Sequence, residues 1–292
     1  MPDFGSFRGF GEKLVQGQTP TQLGKIGSED YSPLLLDAYP NASAAYSVRK
    51  LRTAYIGSAI RVRRSSDNAE SDIGFTGLNL DTTTLTSFCG SGNGFVTTWY
   101  DQSGNAINAI NSTAANQPQI VSSGSVFNNI NGLPSIRFDG SNDSLQSSTY
   151  TTISPPYTAF LVNKWISTSI QPYLMDLGRD SAIGRLDLTS PAKNGITFNG
   201  GVVNSTRLIN FTDTLLWFVL PNGTSSNLSI NNETIVSGGT GTRTTNQVTF
   251  GMYGGTTGNA NSYYTEFILY PVNQSSNRTG IESNINTYYA IY

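Results

Sequence analysis

From about residue 59 to residue 270 the chain alternates apolar and polar positions in short runs, each closed by a cluster of Gly, Asn, Ser or Pro. In AIRVRRS, Ile60 and Val62 fall on one side and Arg61 and Arg63 on the other, the period-2 pattern of a half-buried strand. Runs of the same kind follow at FVTTWYD, PSIRFDG, TAFLVNKW, LLWFVLP, NLSI, ETIVSG, QVTFGMYG and YYTEFILYP. Short strands at this spacing predict packed antiparallel sheets rather than βαβ units. In NLSINNETIV, Asn231 and Asn232 can take the positive φ of a two-residue hairpin turn.

Two stretches read as helical. After the break at Pro40, Asn41-Ala42-Ser43 predicts a cap for a short helix through AAYSVRKLRTAY, with Tyr46, Leu51 and Tyr55 near one face. At the C-terminus, Ile281, Ile285 and Tyr288 recur at i, i+4 and i+7, so SSNRTGIESNINTYYAIY predicts a helix packed on the sheets. The expected fold is all-β, an antiparallel jelly-roll β-sandwich over 31–292 with a short C-terminal helix. Residues 1–30, Gly-rich and without period, form a separate extended N-terminal arm. Phe4, Phe7, Phe10 and Leu14 make that arm too apolar for a solvating tail, and predict that it orders against a partner.

Composition narrows the chemistry. Charged residues are 12 % of the chain, about half the usual ~25 %, and the net charge is −2, which leaves no broad basic surface for nucleic acid. No run of about 20 apolar residues predicts membrane insertion, and MPDFGSFRGFGEK lacks the basic start and apolar middle of a secretory signal, so a soluble chain without that export route is expected. Cys89 stands alone, excluding an internal disulfide, and is expected to be a small buried thiol. With no histidine, Ser-His-Asp and Cys-His catalysis are excluded.

The segments RVRRSSDNAESDIGF, FCGSGNGFVTTWYDQSGN and GLPSIRFDGSNDSL resemble, in order and spacing, the catalytic β-sandwich of family 54 arabinofuranosidases (α-L-arabinofuranosidase B) and related concanavalin A or laminin G-like modules. The resemblance runs from about Leu34 to the C-terminal helix, most specifically at Arg64-Ser65-Ser66-Asp67, Phe88-Cys89 and Tyr100 to Asn105. It implies a catalytic Glu between the strands near Leu188 and Leu215, but no Asp or Glu lies between Leu188 and Thr212. It implies an acid/base Asp where this chain has Gly254-Gly255-Thr256, and a pair of adjacent cysteines where it has Tyr173-Leu174-Met175-Asp176. A threonine hydroxyl is no general acid near neutral pH.

These departures, and the occurrence of such modules in tailed-phage particles behind a docking segment, lead to an expectation. The chain would be a non-catalytic virion protein, a capsid fibre or tail appendage at the particle surface. It would contact other virion proteins through the arm, bind a host surface glycan, and form a homo-oligomer such as a trimer. The alternative is an active arabinofuranosidase-like glycoside hydrolase using relocated carboxylates, for which Asp176, Asp180, Asp187 and Glu266 are available. Candidate sugar-binding residues are Tyr253, Tyr263, Trp165, Tyr173 and Asp176, since a sugar face packs on an aromatic ring while its hydroxyls bond polar neighbours. No cofactor is expected; Asp101, Asn105, Asp139 and Asp143, in DQSGN and DGSND turns, are the hard oxygen ligands that would suit Ca²⁺. Arg61, Arg63 and Arg64 read as a solvated strand face paired with Asp67, Glu70 or Asp72.

Overall fold

The computed structural model describes residues 33–166, 173–178, 181–187, 193–198, 201–208, 210–239, 242, 244–252 and 259–292. The arm residues Phe4, Phe7, Phe10 and Leu14, and Tyr253 and Asp180, lie outside the described residues. The compact unit begins at Leu34.

The elements in chain order are helix α1 Leu35–Ala38, strands β1 Ala44–Ser47, β2 Ile60–Arg64, β3 Glu70–Ile73, β4 Phe75–Thr76 and β5 Asn79–Leu80, and helix α2 Thr82–Cys89. Then come β6 Gly94–Trp99, β7 Ala109–Ile110, β8 Gln119–Ser122, β9 Ser125–Val126, β10 Ile136–Asp139, β11 Leu145–Ser147, β12 Thr158–Trp165 and β13 Tyr173–Asp176. The long hairpins β14 Ser181–Asp187, β15 Lys193–Phe198 and β16 Gly201–Leu208 follow, then β17 Leu215–Leu220, β18 Ser226–Ile230, β19 Val236–Gly238, β20 Thr249–Phe250, β21 Asn261–Tyr270 and helix α3 Arg278–Tyr289.

All pairings are antiparallel. One sheet runs β3-β2-β6-β7-β11-β20-β13-β14-β15-β16. The other centres on β21, which carries β1 and β10 along one edge and β12 along the other, continuing through β17, β18 and β19. β8 bridges the two, pairing with both β6 and β10. The fold is the antiparallel β-sandwich the strand pattern predicts.

Between the sheets lies the larger core, with Trp99, Phe138, Leu161, Trp165, Trp217, Phe250, Tyr264 and Phe267 almost fully buried. Aromatic edges interlock there: Phe250 meets Trp99 at 5.1 Å and Phe267 at 5.6 Å between centroids, spacings at which such pairs add stability beyond buried area. A second core covers the far face of the β21 sheet, where α1 and α3 set Leu35, Ile281, Ile285 and Tyr289 against Phe160, Phe218 and Ile268.

Most predicted elements stand where the pattern puts them. The Asn231-Asn232 turn has φ of 51° and 57°, and α3 buries Ile281 and Ile285, though Tyr289 rather than Tyr288 completes its buried face. Arg61 pairs with Glu70 and Asp72, and Arg64 with Asp67. Cys89 is buried, its thiol pushed up by burial, against the backbone at Gly94.

The predicted helix from Asn41 is corrected. Residues 44–47 form β1, paired with β21 from Ala44 opposite Leu269 to Ser47 opposite Glu266. Ala44 and Tyr46 enter the inter-sheet core and Ala45 the second core, so both faces of the segment are buried. A strand meets two cores on alternate residues; a helix with one stripe cannot. Among the described residues no helix is long and apolar enough to cross a membrane.

Candidate active site

The DQSGN motif is a structural staple. Asp101, 3 % exposed, follows β6, and its carboxylate accepts from the backbone N–H of Ala45 at 2.8 Å, Ser103 at 2.9 Å and Ile107 at 3.1 Å, and from the Ser103 hydroxyl at 2.7 Å. Gln102 accepts from Leu51 N–H at 2.9 Å and donates to the carbonyls of Ser47 and Arg49, each at 3.0 Å. Asn105 donates to the carbonyls of Ala42 and Ser43 at 3.1 and 3.0 Å. The motif ties the exit of β6 to β1 and its flanks, and Asp101's oxygens are filled by backbone and hydroxyl donors.

The DGSND turn is different. Its residues join β10 to β11 and wrap on themselves: Asp139 N–H donates to Asp143 Oδ2 at 2.9 Å, and Ser141 N–H to Asp139 Oδ1 at 2.8 Å. Gly140, at φ 81°, lets the turn close on Asn261, which a Cβ there would meet at 2.9 Å. Asn142 donates to Asn116 Oδ1 at 3.0 Å, and the Asn259 amide donates to the Ser141 carbonyl. On the other side, Gly251 presses its backbone against Phe138 and the Asp143 carbonyl. The turn thus touches both Gly251 and Asn259, which lie on either side of residues 253–258.

Asp143 is 7 % exposed, and its carboxyl is pushed up to about 7 by burial and by the neighbouring Asp139 charge, against the opposing pull of Asp139 N–H and Arg137. A carboxyl so placed holds a proton near neutrality. From its sequence Asp143 is only a candidate oxygen ligand; two Asp four residues apart in a Gly-containing turn are visible there, but the burial that raises Asp143 arises in the folded chain.

Among the described residues, Trp165 and Tyr263 of the proposed sugar-binding set lie on opposite sides of the β21 sheet. Trp165 is corrected: at 1 % exposure its ring is in the inter-sheet core, where no sugar face can reach it. Tyr263, opposite Lys164, is half-buried on the outer side of the β21 sheet, 5.9 Å from the Phe127 ring. Tyr173 is half-buried at the start of β13 opposite Arg185, and Asp176 ends that strand. Asp176 accepts from Gly178 N–H at 2.9 Å and sits opposite Thr249, whose hydroxyl accepts from Gln146 at 3.1 Å.

Glu266 is unsuited to catalysis. It is 1 % exposed and takes Arg49 Nε at 2.7 Å and Nη2 at 2.9 Å, the Ser47 hydroxyl at 2.8 Å and the Tyr289 hydroxyl at 3.1 Å. The calcium candidates divide between two turns, Asp101 with Asn105 and Asp139 with Asp143; among the described residues no group of three His, Cys, Asp or Glu gathers as a metal site.

The fold is an antiparallel β-sandwich similar to the catalytic β-sandwich of family 54 arabinofuranosidases. The family model for the catalytic domain of α-L-arabinofuranosidase B matches residues 37–131. Among solved structures the chain is similar to a mutant family 54 α-L-arabinofuranosidase soaked with 4-nitrophenyl α-L-arabinofuranoside. The TM-score is 0.68 and the identity 13 %, over 86 % of this chain and 64 % of that one. A family 54 enzyme soaked with a cyclic sulfate inhibitor (TM-score 0.65) and an arabinofuranosidase complexed with arabinofuranosyl-α-1,2-xylobiose (0.62) are similar at the same identity and coverage. The chain therefore spans 64 % of the length of these enzymes. No curated protein matches it.

These likenesses overturn the expectation of a non-catalytic phage fibre or tail protein. What the chain resembles in sequence over residues 37–131, and in fold over most of its length, is a glycoside hydrolase catalytic domain. The glycosidase alternative fits better.

Proposed function

We propose that the chain is an arabinofuranosidase-like glycoside hydrolase domain acting on arabinofuranosyl glycans, with Asp143 as its proton donor. The observation that carries this reading is the place of Asp143, buried in a turn that touches Gly251 and Asn259, on either side of the segment where the family resemblance puts its acid. Thr256 cannot serve there, whereas a carboxyl held up to about 7 is protonated at neutral pH and can be given up to a glycosidic oxygen. Once that proton has left, two carboxylates face each other across the turn, and their repulsion drives Asp143 to take a proton back from water. With no Asp or Glu between Leu188 and Thr212, the anomeric carbon is captured by water rather than by a carboxylate from that stretch.

The test is turnover of 4-nitrophenyl α-L-arabinofuranoside by the full chain. Asp143→Asn is expected to lower kcat by about 10²–10⁴, the usual contribution of a general acid, while circular dichroism stays native. A wild-type chain without turnover, or an Asp143→Asn chain with unchanged turnover, would sink the reading.

A further inference from the structure

Away from the DGSND turn, a cleft of about 580 Å³ opens between α2, the β4–β5 hairpin and the β9–β10 connection. Its lining contains no charged side chain. Polar groups come from Asn79, Thr82, Thr83, Ser125 and Asn128. Among the described residues no hydrogen bond engages the hydroxyls of Thr82, Thr83 and Ser125 or the amide of Asn128. Asn79 accepts from the Tyr288 hydroxyl at 2.5 Å through its oxygen, which orients its NH₂ as a free donor. Between these groups Leu80, Val126, Leu133 and Pro134 supply apolar surface.

We propose that this cleft is a second binding site, for neutral saccharides, distinct from the Asp143 turn. A phosphate or carboxylate ligand would find no counter-charge here, and such ligands are held by charge-assisted bonds. A sugar offers what the lining complements: hydroxyls that both donate and accept, on a ring whose C–H faces are apolar. The volume is within the roughly 300–1,000 Å³ typical of small-ligand sites. Placement adds a reason for a polymer. Pro134, at the cleft, stands two residues before β10, and Asp139 ends that strand, so at most about 17 Å of extended chain at ~3.4 Å per residue separates the two sites. A glycan chain engaged at both would be held by avidity.

The test is calorimetric titration of the full-length Asp143→Asn chain with arabinotriose and xylotriose, and with inorganic phosphate as control. Saturable binding of at least one trisaccharide, weakened about tenfold or more by adding Thr83→Ala and Asn128→Ala, is expected. A Ser125→Tyr change, which fills the cleft from the surface, is expected to abolish it. Absence of trisaccharide binding with Kd below roughly 10 mM would overturn the proposal. So would binding indifferent to the cleft changes, or phosphate binding in place of sugar. Hydrolysis of 4-nitrophenyl α-L-arabinofuranoside by Thr83→Ala/Asn128→Ala with Asp143 intact should match wild type, which separates failure of this site from failure of the hydrolase reading.

Discussion

The Arg49 guanidinium and the Glu266 carboxylate meet through a two-pronged contact, Nε to Oε2 at 2.7 Å and Nη2 to Oε1 at 2.9 Å, beneath α3. Arg49 also lies 4.9 Å from the Tyr288 ring centroid and 5.6 Å from that of Tyr289, and donates to Asn284 at 3.0 Å. Both charges are buried, so removing one strands the other. Glu266→Gln is expected to destabilise the fold by about 3–5 kcal/mol in urea denaturation. An Arg49→Met/Glu266→Leu double change should cost much less than the sum of the single ones; additive losses would show that the pair is not coupled.

The Asp101 staple makes a second prediction. Asp101→Ala leaves the buried N–H of Ala45 and the partly buried N–H of Ile107 without their acceptor, the buried one alone worth about 1–3 kcal/mol. A loss of several kcal/mol is expected, with Asp101→Asn recovering part of it because one amide oxygen still accepts. Equal stability of Asp101→Ala and wild type by thermal unfolding would show that other donors and acceptors replace it.

Asp143 ties stability to pH. Its carboxyl rises from 3.8 to about 7 on folding, chiefly through burial and then through Asp139. Between those values the folded chain keeps a proton that the unfolded chain has released. Stability from this group is therefore full below the lower value and lost as pH rises through the upper one. Asp143→Asn removes the titration, and should be more stable than wild type at pH 8 by about 1–3 kcal/mol, with a much smaller difference at pH 4. Parallel pH profiles for the two chains would contradict the raised carboxyl.

How far these features were legible follows from where their causes lie. β2 and α3 are written in local period, because each meets one core on one face. α2 had a readable start in Asp81, whose carboxylate accepts from Thr84 N–H at 2.9 Å, but no apolar stripe long enough to announce a helix. In β21, alternation counted back from the buried Phe267 would turn Tyr263 inward and Tyr264 outward. The extra residue Thr265, where Val162 pairs with Glu266 and Asn163 with Tyr264, reverses them. Tyr264 is consequently core, and Tyr263 faces out. A bulge of this kind has no sequence period to betray it. The DGSND turn was visible as a turn, whereas the burial that raises the Asp143 carboxyl comes only with the folded chain, in which Gly251, about a hundred residues away, presses on the turn's backbone.

That press concentrates on Gly251. Its φ of 84° is a conformation that side chains rarely adopt, and a Cβ there would collide with Phe138 Cδ1 and stand 2.5 Å from the Asp143 carbonyl oxygen. Neither neighbour can yield: Phe138 is fully buried, 4.7 Å from the Tyr264 ring, and the Asp143 carbonyl belongs to the closed turn. Gly251→Ala must therefore move β20 away from the turn or open the turn itself. A destabilisation of about 2–4 kcal/mol is expected from backbone strain and overpacking together. Moving the turn also exposes Asp143 to water, so its carboxyl should fall toward the ordinary range and the Asp143-dependent loss of stability as pH rises toward about 7 should shrink in the variant. The decisive measurement is the Asp143 carboxyl titration by NMR in wild type and Gly251→Ala, where an unmoved midpoint would show that the turn is held without β20.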